Sequence, residues 1–266
     1  MPNYYTNRDL LKGALAIPAT ATAENVQLDA VQESVARLID DYLGFHAYVA
    51  SGTRDYTAQN ASYLDLGTPL LSTAPVVRTS SDGATYGTTM TTVDYYLTPY
   101  NATEESPPRP YWGIELRASA TAVFPLTIRR GVRVIGDWGY YDRREETTVT
   151  PATAINATQT TMEVQGATSL HPGQTIRLGA EQLFVRIVPR NASSPAGTSD
   201  ITVLRAQNGT TGATHSSNST MSIYTYPIIE RAAFYQSQQD YRVKDAPLGF
   251  AGGEPFGVQR AMMPGG

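Results

Sequence analysis

The stretch Val132-Arg-Val-Ile-Gly-Asp-Trp-Gly-Tyr-Tyr141 combines β-branched and aromatic residues and ends in a turn-like segment. Such residues favour a pleated, half-buried strand. The next helix-compatible sequence, Tyr226-Pro-Ile-Ile-Glu-Arg-Ala-Ala233, begins only after a long region rich in β-branched residues. The strand and the helix therefore look like neighbours that an inserted segment separates.

The region 54–141 consists of short β-rich runs divided by turn residues. Ser81-Asp82-Gly83 is typical of a hairpin turn, and the prolines between 99 and 110 oppose helix formation. We therefore expect a β-rich segment here. Its candidate strands are 74–79, 92–97, 112–116 and 132–135.

The inserted segment is predicted to cover residues 147–226. It contains sixteen threonines, and so many β-branched residues disfavour long helices. We predict a small all-β module whose two ends lie close together, as an insertion requires. Its β-runs are 161–164, 175–178, 183–188 and 201–204.

Three segments carry helical periodicity. Residues 6–17 and 23–43 place apolar side chains every three or four positions, and Gly44 is a natural stop for the second helix. A third helix is predicted at 227–242, because Pro227 suits a first turn in which its missing N–H would have no partner. We expect these helices and the β-rich segment to form one core from residues 1–146 and 227–249, an α+β arrangement.

The segment 250–266 is predicted to be an extended C-terminal tail, because the sequence from residue 245 onward is rich in glycine and proline. Apolar residues nevertheless recur at and before its start, and a free tail would not need them. We therefore expect this part of the chain to become ordered on a partner. The apolar residues are Leu248, Phe250, Phe256 and Val258.

The residue types that carry catalysis are absent or unsuitably spaced. The sequence has no cysteine, and its three histidines, His46, His171 and His215, lack metal-ligand spacing. Adjacent carboxylates such as Asp40-Asp41 diverge on a helix or strand, so they suit a solvated surface better than acid–base work. We expect no catalytic residue, no metal and no cofactor, and hence a protein that is not an enzyme.

Aromatic residues cluster in three places, and the sequence leaves their role open between two alternatives. They suit packing in a core or an interface, or they form a platform on which sugar rings stack. Rings that stack on sugars must face solvent, whereas core residues must not. The clusters are Tyr95-Tyr96, Tyr111-Trp112 and Trp138-Gly-Tyr-Tyr141.

Charge and hydropathy exclude two classes of partner. The net charge is −4, and only Lys12 and Lys244 are lysines, so tight sequence-independent binding to nucleic acid is not expected. No stretch approaches the length of a membrane-spanning helix, so no membrane partner is expected either.

The order of these segments resembles the head-to-tail adaptor proteins of long-tailed bacteriophages, also called connector or head-completion proteins. The insert is similar to small β modules of phage structural proteins through Gly173-x-x-Ile-x-Leu-Gly-x-Glu181 and Asn208-Gly-Thr210, although Ala206 stands where those modules usually have glycine. Outside the insert, the resemblance rests on the helices 6–17 and 23–43, Thr53-Arg-Asp-Tyr56, Asp94-Tyr-Tyr-Leu-Thr-Pro-Tyr-Asn101, the 132–141 stretch and Arg242-Val-Lys-Asp-Ala-Pro-Leu-Gly249.

The resemblance implies a small helical bundle of the adaptor type, with the β-rich middle segment and the inserted all-β domain added to it. It also implies a ring, typically of twelve subunits, beneath the portal protein. Such a ring extends the DNA channel, touches passing DNA transiently and non-specifically, and offers a surface to the next connector, stopper or tail protein. The residues implied to bind the portal are Leu248, Phe250, Phe256, Val258 and Arg260.

By the same resemblance, the protein belongs to the virion, at the neck between head and tail, and is assembled in the host cytoplasm. The alternative is a phage structural protein that binds carbohydrate or a host surface. In that alternative, the inserted module and the neighbouring aromatic residues face outward.

Overall fold

The computed structural model describes residues 3–106, 108–120, 122–140, 142–189 and 197–243. Within them the chain forms two seven-stranded antiparallel sheets and three α-helices. The predicted fold class, a small helical bundle of the adaptor type, is therefore wrong, because the protein is mostly β. Most of its apolar burial lies inside the two sheets, and the helices supply only a smaller layer.

The first sheet is organised around its last strand, which pairs with three others. Its order is β4-β3-β7-β2-β6-β5, and β1 also pairs with β7. Val132, Val134 and Trp138 of β7 are buried in the core of this sheet, as the alternation along a strand requires. The strands are β1 (Ala50–Tyr56), β2 (Tyr63–Leu70), β3 (Val76–Thr79), β4 (Thr88–Met90), β5 (Tyr95–Thr98), β6 (Tyr111–Leu116) and β7 (Val132–Trp138).

The second sheet curls towards a barrel. Its order is β8-β14-β11-β12-β13-β10-β9, so the two outermost strands, β8 and β9, are consecutive in the chain and joined by residues 147–149. Such a short link brings the opposite edges of the sheet together. The strands are β8 (Arg144–Glu146), β9 (Thr150–Pro151), β10 (Thr161–Gln165), β11 (Thr175–Leu178), β12 (Glu181–Ile187), β13 (Thr198–Leu204) and β14 (Met221–Tyr224).

The helices α1 (Arg8–Ala14), α2 (Asn25–Leu43) and α3 (Pro227–Val243) pack against one another as a third layer. The α1 helix is shorter than predicted at both ends. Asn7 caps its first turn by accepting a hydrogen bond from Leu10 N at 2.9 Å, and the helix ends at Ala14, two residues before Ala16 with its φ of +55°. Buried side chains of α2 and α3 share a cluster with tyrosines of the N-terminus, the segment before β1 and the end of β14. The helix layer is thus attached to both sheets.

The second sheet begins before the predicted start of the insert. Thr225 N donates to Arg143 O at 3.0 Å, so the chain enters and leaves this sheet at neighbouring positions. β8, at 144–146, lies before the predicted start of the insert yet belongs to the second sheet. The division into an adaptor core and an insert at 147–226 stays a prediction. Among the described helices, none combines the length and apolarity needed to cross a membrane.

Candidate interaction surfaces

The α3 helix has apolar residues on two sides. Its inner side carries Ala233 and Tyr241, which are buried against the other helices. Ile228 and Tyr235 instead point away from the helix layer, and 74% of Ile228 is exposed. Ile228, Ala232, Tyr235 and Val243 lie within one third of the helix circumference at 100° per residue. Together with exposed Arg231 and Arg242, they define the α3 outer face.

The C-terminal end of α2 carries a second exposed apolar surface, of opposite charge. Leu38 and Tyr42 continue the stripe that is buried further up the helix, but 89% of Tyr42 is exposed. Asp41 lies exposed beside them, and the end of the helix adds the partial negative charge of its carbonyl groups. We call Leu38, Asp41 and Tyr42 the α2 patch. Its charge complements that of the α3 outer face.

The residues implied to bind the portal cannot be placed on either surface. Leu248, Phe250, Phe256, Val258 and Arg260 all lie outside the described residues, which end at Val243. The structure therefore neither brings them together nor separates them.

The aromatic residues divide between the two roles that the sequence left open. Tyr95, Tyr111 and Trp138 are buried in the core of the first sheet, whereas Tyr96 is 45% exposed. Tyr141 lies outside the described residues. Burial follows strand alternation, because side chains next to each other along a strand point to opposite faces of the sheet. Adjacent aromatic residues such as Tyr95 and Tyr96 therefore cannot share one role.

Tyr96 belongs to a group of exposed tyrosines on the outer surface of the first sheet. Tyr63 of β2 and Tyr96 of β5 both stand directly opposite Glu115 of β6, the strand between them. Residues opposite each other in antiparallel strands point to the same face. Tyr100, just beyond β5, donates its hydroxyl hydrogen to Glu115. We call Tyr63, Tyr96, Tyr100 and Glu115 the tyrosine platform.

Gly113 lies beneath the Tyr63 ring of the platform, and we call it the glycine floor. In the next row of the sheet, Gly113 stands between Asp65 and Thr98. A methyl group on Gly113 would come within 2.7 Å of Tyr63 Cζ and of Thr98 Oγ1. The Tyr63 ring can therefore lie close to the sheet only because residue 113 has no side chain.

The polar groups around the platform are fixed by local hydrogen bonds. The Arg117 guanidinium lies 4.0 Å from the centre of the Tyr96 ring, and its Nε donates to Tyr95 O at 3.3 Å. The hydrogen bond to the Glu115 carboxylate raises the pKa of the Tyr100 hydroxyl. A groove of about 550 Å³ lies beside the platform, and Tyr96, Tyr100 and Arg117 belong to its lining.

A buried charged cluster in the second sheet has residue types that are common in active sites. Glu181 accepts hydrogen bonds from Arg205 Nε at 2.7 Å and from Ala206 N and Ala213 N, and its Oε2 lies 2.9 Å from His215 Nε2. Burial alone would raise the pKa of Glu181, but hydrogen bonds from Arg205, His215 and the two amides outweigh it and lower the pKa to about 2. So weak a base suits a structural acceptor that joins the loops around β12.

Each of the three histidines lies near a carboxylate, in a separate part of the structure. His46 Nδ1 lies 3.1 Å from Asp40, and His171 Nδ1 lies 2.9 Å from Asp9. Burial lowers the pKa of His171. In the described part of the chain, no three histidine or carboxylate side chains are grouped closely enough to hold a metal ion.

Tyr63 and Glu115 were not predicted from the sequence as members of a site, although the alternation Tyr63-Leu-Asp-Leu66 is a recognisable strand signal. Nor was Glu181 predicted as the centre of a cluster, because its partners lie at separate positions along the chain.

Comparison with protein-family models, with curated proteins and with solved structures returned no match.

Proposed function

We propose that the protein is a structural head-to-tail adaptor of a bacteriophage and not an enzyme. In this proposal it forms a ring beneath the portal protein, extends the DNA channel and offers a docking surface to the next neck or tail protein. Its place would be the virion neck, after assembly in the host cytoplasm. The helical fold implied by the resemblance is wrong, so the support comes from sequence segments and surfaces.

The observation that carries the proposal is the complementarity between the α3 outer face and the α2 patch. One surface is apolar and basic through Arg231 and Arg242, and the other is apolar and acidic through Asp41. A contact between two different surfaces of identical subunits is heterologous, and such contacts close into rings when the rotation per subunit allows it. Exposed apolar residues beside matched charges are typical of protein interfaces.

The test is assembly on the portal protein from the same genome, followed by light scattering and electron microscopy. We expect the wild-type protein to form a ring on the portal, with about the twelve subunits that the resemblance implies. Asp41→Arg and Arg231→Glu should each weaken the ring, because each places like charges at every subunit contact. The double variant should restore assembly, since the exchanged charges attract again.

Arg78→Glu is the matched control. Arg78 is an exposed arginine on β3 of the first sheet and belongs to neither helix surface, so its reversal changes the net charge without touching the proposed contact. Absence of any ring with portal would overturn the function. A ring that forms equally well in Asp41→Arg and Arg231→Glu would instead place the subunit contact elsewhere.

A further inference from the structure

We propose that the tyrosine platform binds a neutral oligosaccharide. Three features carry this inference: the exposed tyrosine rings, the glycine floor beneath Tyr63, and the presence of one carboxylate and one guanidinium beside the rings. The proposal does not depend on ring formation, because the platform lies on the first sheet, away from the α2 patch and the α3 outer face.

The rings offer the apolar part of such a site. Tyr63, Tyr96 and Tyr100 are 38%, 45% and 61% exposed on one face of the sheet. The face of an aromatic ring carries partial negative charge, and the C–H bonds on one side of a pyranose carry partial positive charge. A sugar ring therefore stacks favourably on a tyrosine whose face is open to solvent. On Tyr96 the Arg117 guanidinium covers one face, 4.0 Å from the ring centre, so a sugar would have to use the opposite face.

The strands that carry Tyr63 and Tyr96 are far enough apart for more than one sugar unit. Tyr63 and Tyr96 lie on strands that flank β6, so two interstrand distances, about 10 Å in total, separate their backbones. The Tyr63 ring itself reaches over Gly113 of β6, and a chain of linked pyranose rings, unlike a single sugar, is long enough to contact side chains of both strands. The adjoining groove, which shares Tyr96, Tyr100 and Arg117 with this area, provides room for the chain to continue.

The glycine floor and the contacts between the rings fix the orientation of the tyrosine side chains. Without a side chain on Gly113, the Tyr63 ring lies close to the sheet, next to its cross-strand neighbour Glu115. Tyr96 and Tyr100 meet edge to face, with centroids 5.8 Å apart and planes at 83°. A ring already held in one orientation loses little conformational entropy when a ligand binds.

The polar groups select a neutral ligand with hydroxyl groups. Glu115 accepts hydrogen bonds, whereas Arg117 donates them, so together they suit neighbouring hydroxyls that do both. Their charges cancel, and Asp65 in the adjacent row adds a negative charge. A polyanion such as nucleic acid would be repelled, since it requires an excess of basic groups.

The test is calorimetric titration of the full-length protein with maltohexaose, cellohexaose and tetra-N-acetylchitotetraose as probes. We expect saturable binding of at least one probe. Tyr63→Ala and Tyr96→Ala should each lower the affinity for that probe roughly 3- to 10-fold, as expected for the loss of one stacked ring. Gly113→Ala should lower it as well, because the added methyl group displaces Tyr63.

Two further variants separate stacking from unfolding and from general changes in aromatic content. Tyr63→Phe keeps the ring and should retain most of the affinity. Tyr235→Ala removes a tyrosine of similar exposure on α3 and should leave the affinity for the probe unchanged. Far-ultraviolet circular dichroism checks that each variant is folded.

Failure of all three probes to bind would overturn the proposal. So would binding that survives both Tyr63→Ala and Tyr96→Ala, because the ligand would then lie elsewhere. Neither result bears on the ring, which is tested by Asp41→Arg and Arg231→Glu.

Discussion

Asn3 and Asn208 lie 205 positions apart in the sequence and exchange side-chain amide hydrogen bonds in the interior. Asn208 Nδ2 also donates to Gln182 Oε1 at 2.7 Å, and Gln182 Nε2 donates to Val49 O at 3.1 Å. The N-terminal segment, the second sheet and the residue before β1 are thus held by one buried polar network. Thr175 joins it by donating to Asn3 Oδ1 at 2.9 Å.

We predict that Asn3→Ala lowers the free energy of unfolding by about 1–3 kcal/mol, because buried amide groups of Asn208 lose their partners. Urea denaturation measures the change. Asn101→Ala, at an exposed position in a turn, is the control and should change stability by less than about 0.5 kcal/mol. Equal stability of the two variants would mean that the buried polar network makes no net contribution to the free energy of unfolding.

Gly209→Ala should be more damaging still. Gly209 has a φ of +79°, and a methyl group there would overlap the Ser51 carbonyl of β1. Strain and overlap together should cost about 2 kcal/mol or more. Gly87→Ala is the matched control, since a methyl group at residue 87 would meet nothing within 4 Å. A Gly209→Ala protein as stable as Gly87→Ala would show that β1 and the second sheet move apart at little cost.

Acid should destabilise the protein through Glu181 and Asp55. The pKa of Glu181 is lowered to about 2 against burial by its hydrogen bonds, and that of Asp55 falls to about 2 chiefly through the hydrogen bonds from Arg133. The unfolded chain takes up these protons at its ordinary values of 4.5 and 3.8, so it binds more protons than the folded protein below about pH 5. The contributions of Glu181 and Asp55 to the free energy of unfolding are therefore present near neutral pH and lost as the pH falls towards 2.

Glu181→Gln tests the larger of these two pKa shifts. Urea midpoints measured from pH 7 to pH 3 should fall less steeply in this variant than in the wild-type protein. The control is Glu104→Gln, which alters an exposed carboxylate. Parallel slopes for wild type and Glu181→Gln would contradict the role of this carboxylate.

Phe256→Ala tests the portal-binding residues implied by the resemblance. An aromatic side chain buried in an interface contributes roughly 1–3 kcal/mol per subunit, and many copies acting together would turn this loss into failed attachment. Co-sedimentation with portal rings measures it. Met263→Ala, in the same C-terminal segment, is the control, and wild-type attachment of Phe256→Ala would place the portal contact elsewhere.

Local strand signals were sufficient for much of the secondary structure. The predicted strand 175–178 is β11, and the predicted 112–116 and 132–135 lie within β6 and β7. These runs are rich in β-branched and aromatic residues, whose preference for a strand is local. Pro227 is a local signal of another kind. It is the first residue of α3, a position where its missing N–H would have no helical partner.

The fold class was not predictable in this way. The helices have the clearest periodicity, and the resemblance gave them the main role, but the two largest buried clusters lie in the sheets. How much of the interior each element buries depends on strand pairings between distant residues, for which single positions carry little signal.

The sequence by itself determined which runs become strands and helices, and it identified the apolar residues available for a core. Only the tertiary structure decided that Ala50–Tyr56, with no apolar alternation, becomes β1, because all seven of its residues pair with β7. Likewise, only strand register places Tyr63 and Tyr96 on either side of Glu115. Backbone hydrogen bonds form with whichever strand packing brings alongside, so these relationships depend on distant partners and not on local side chains.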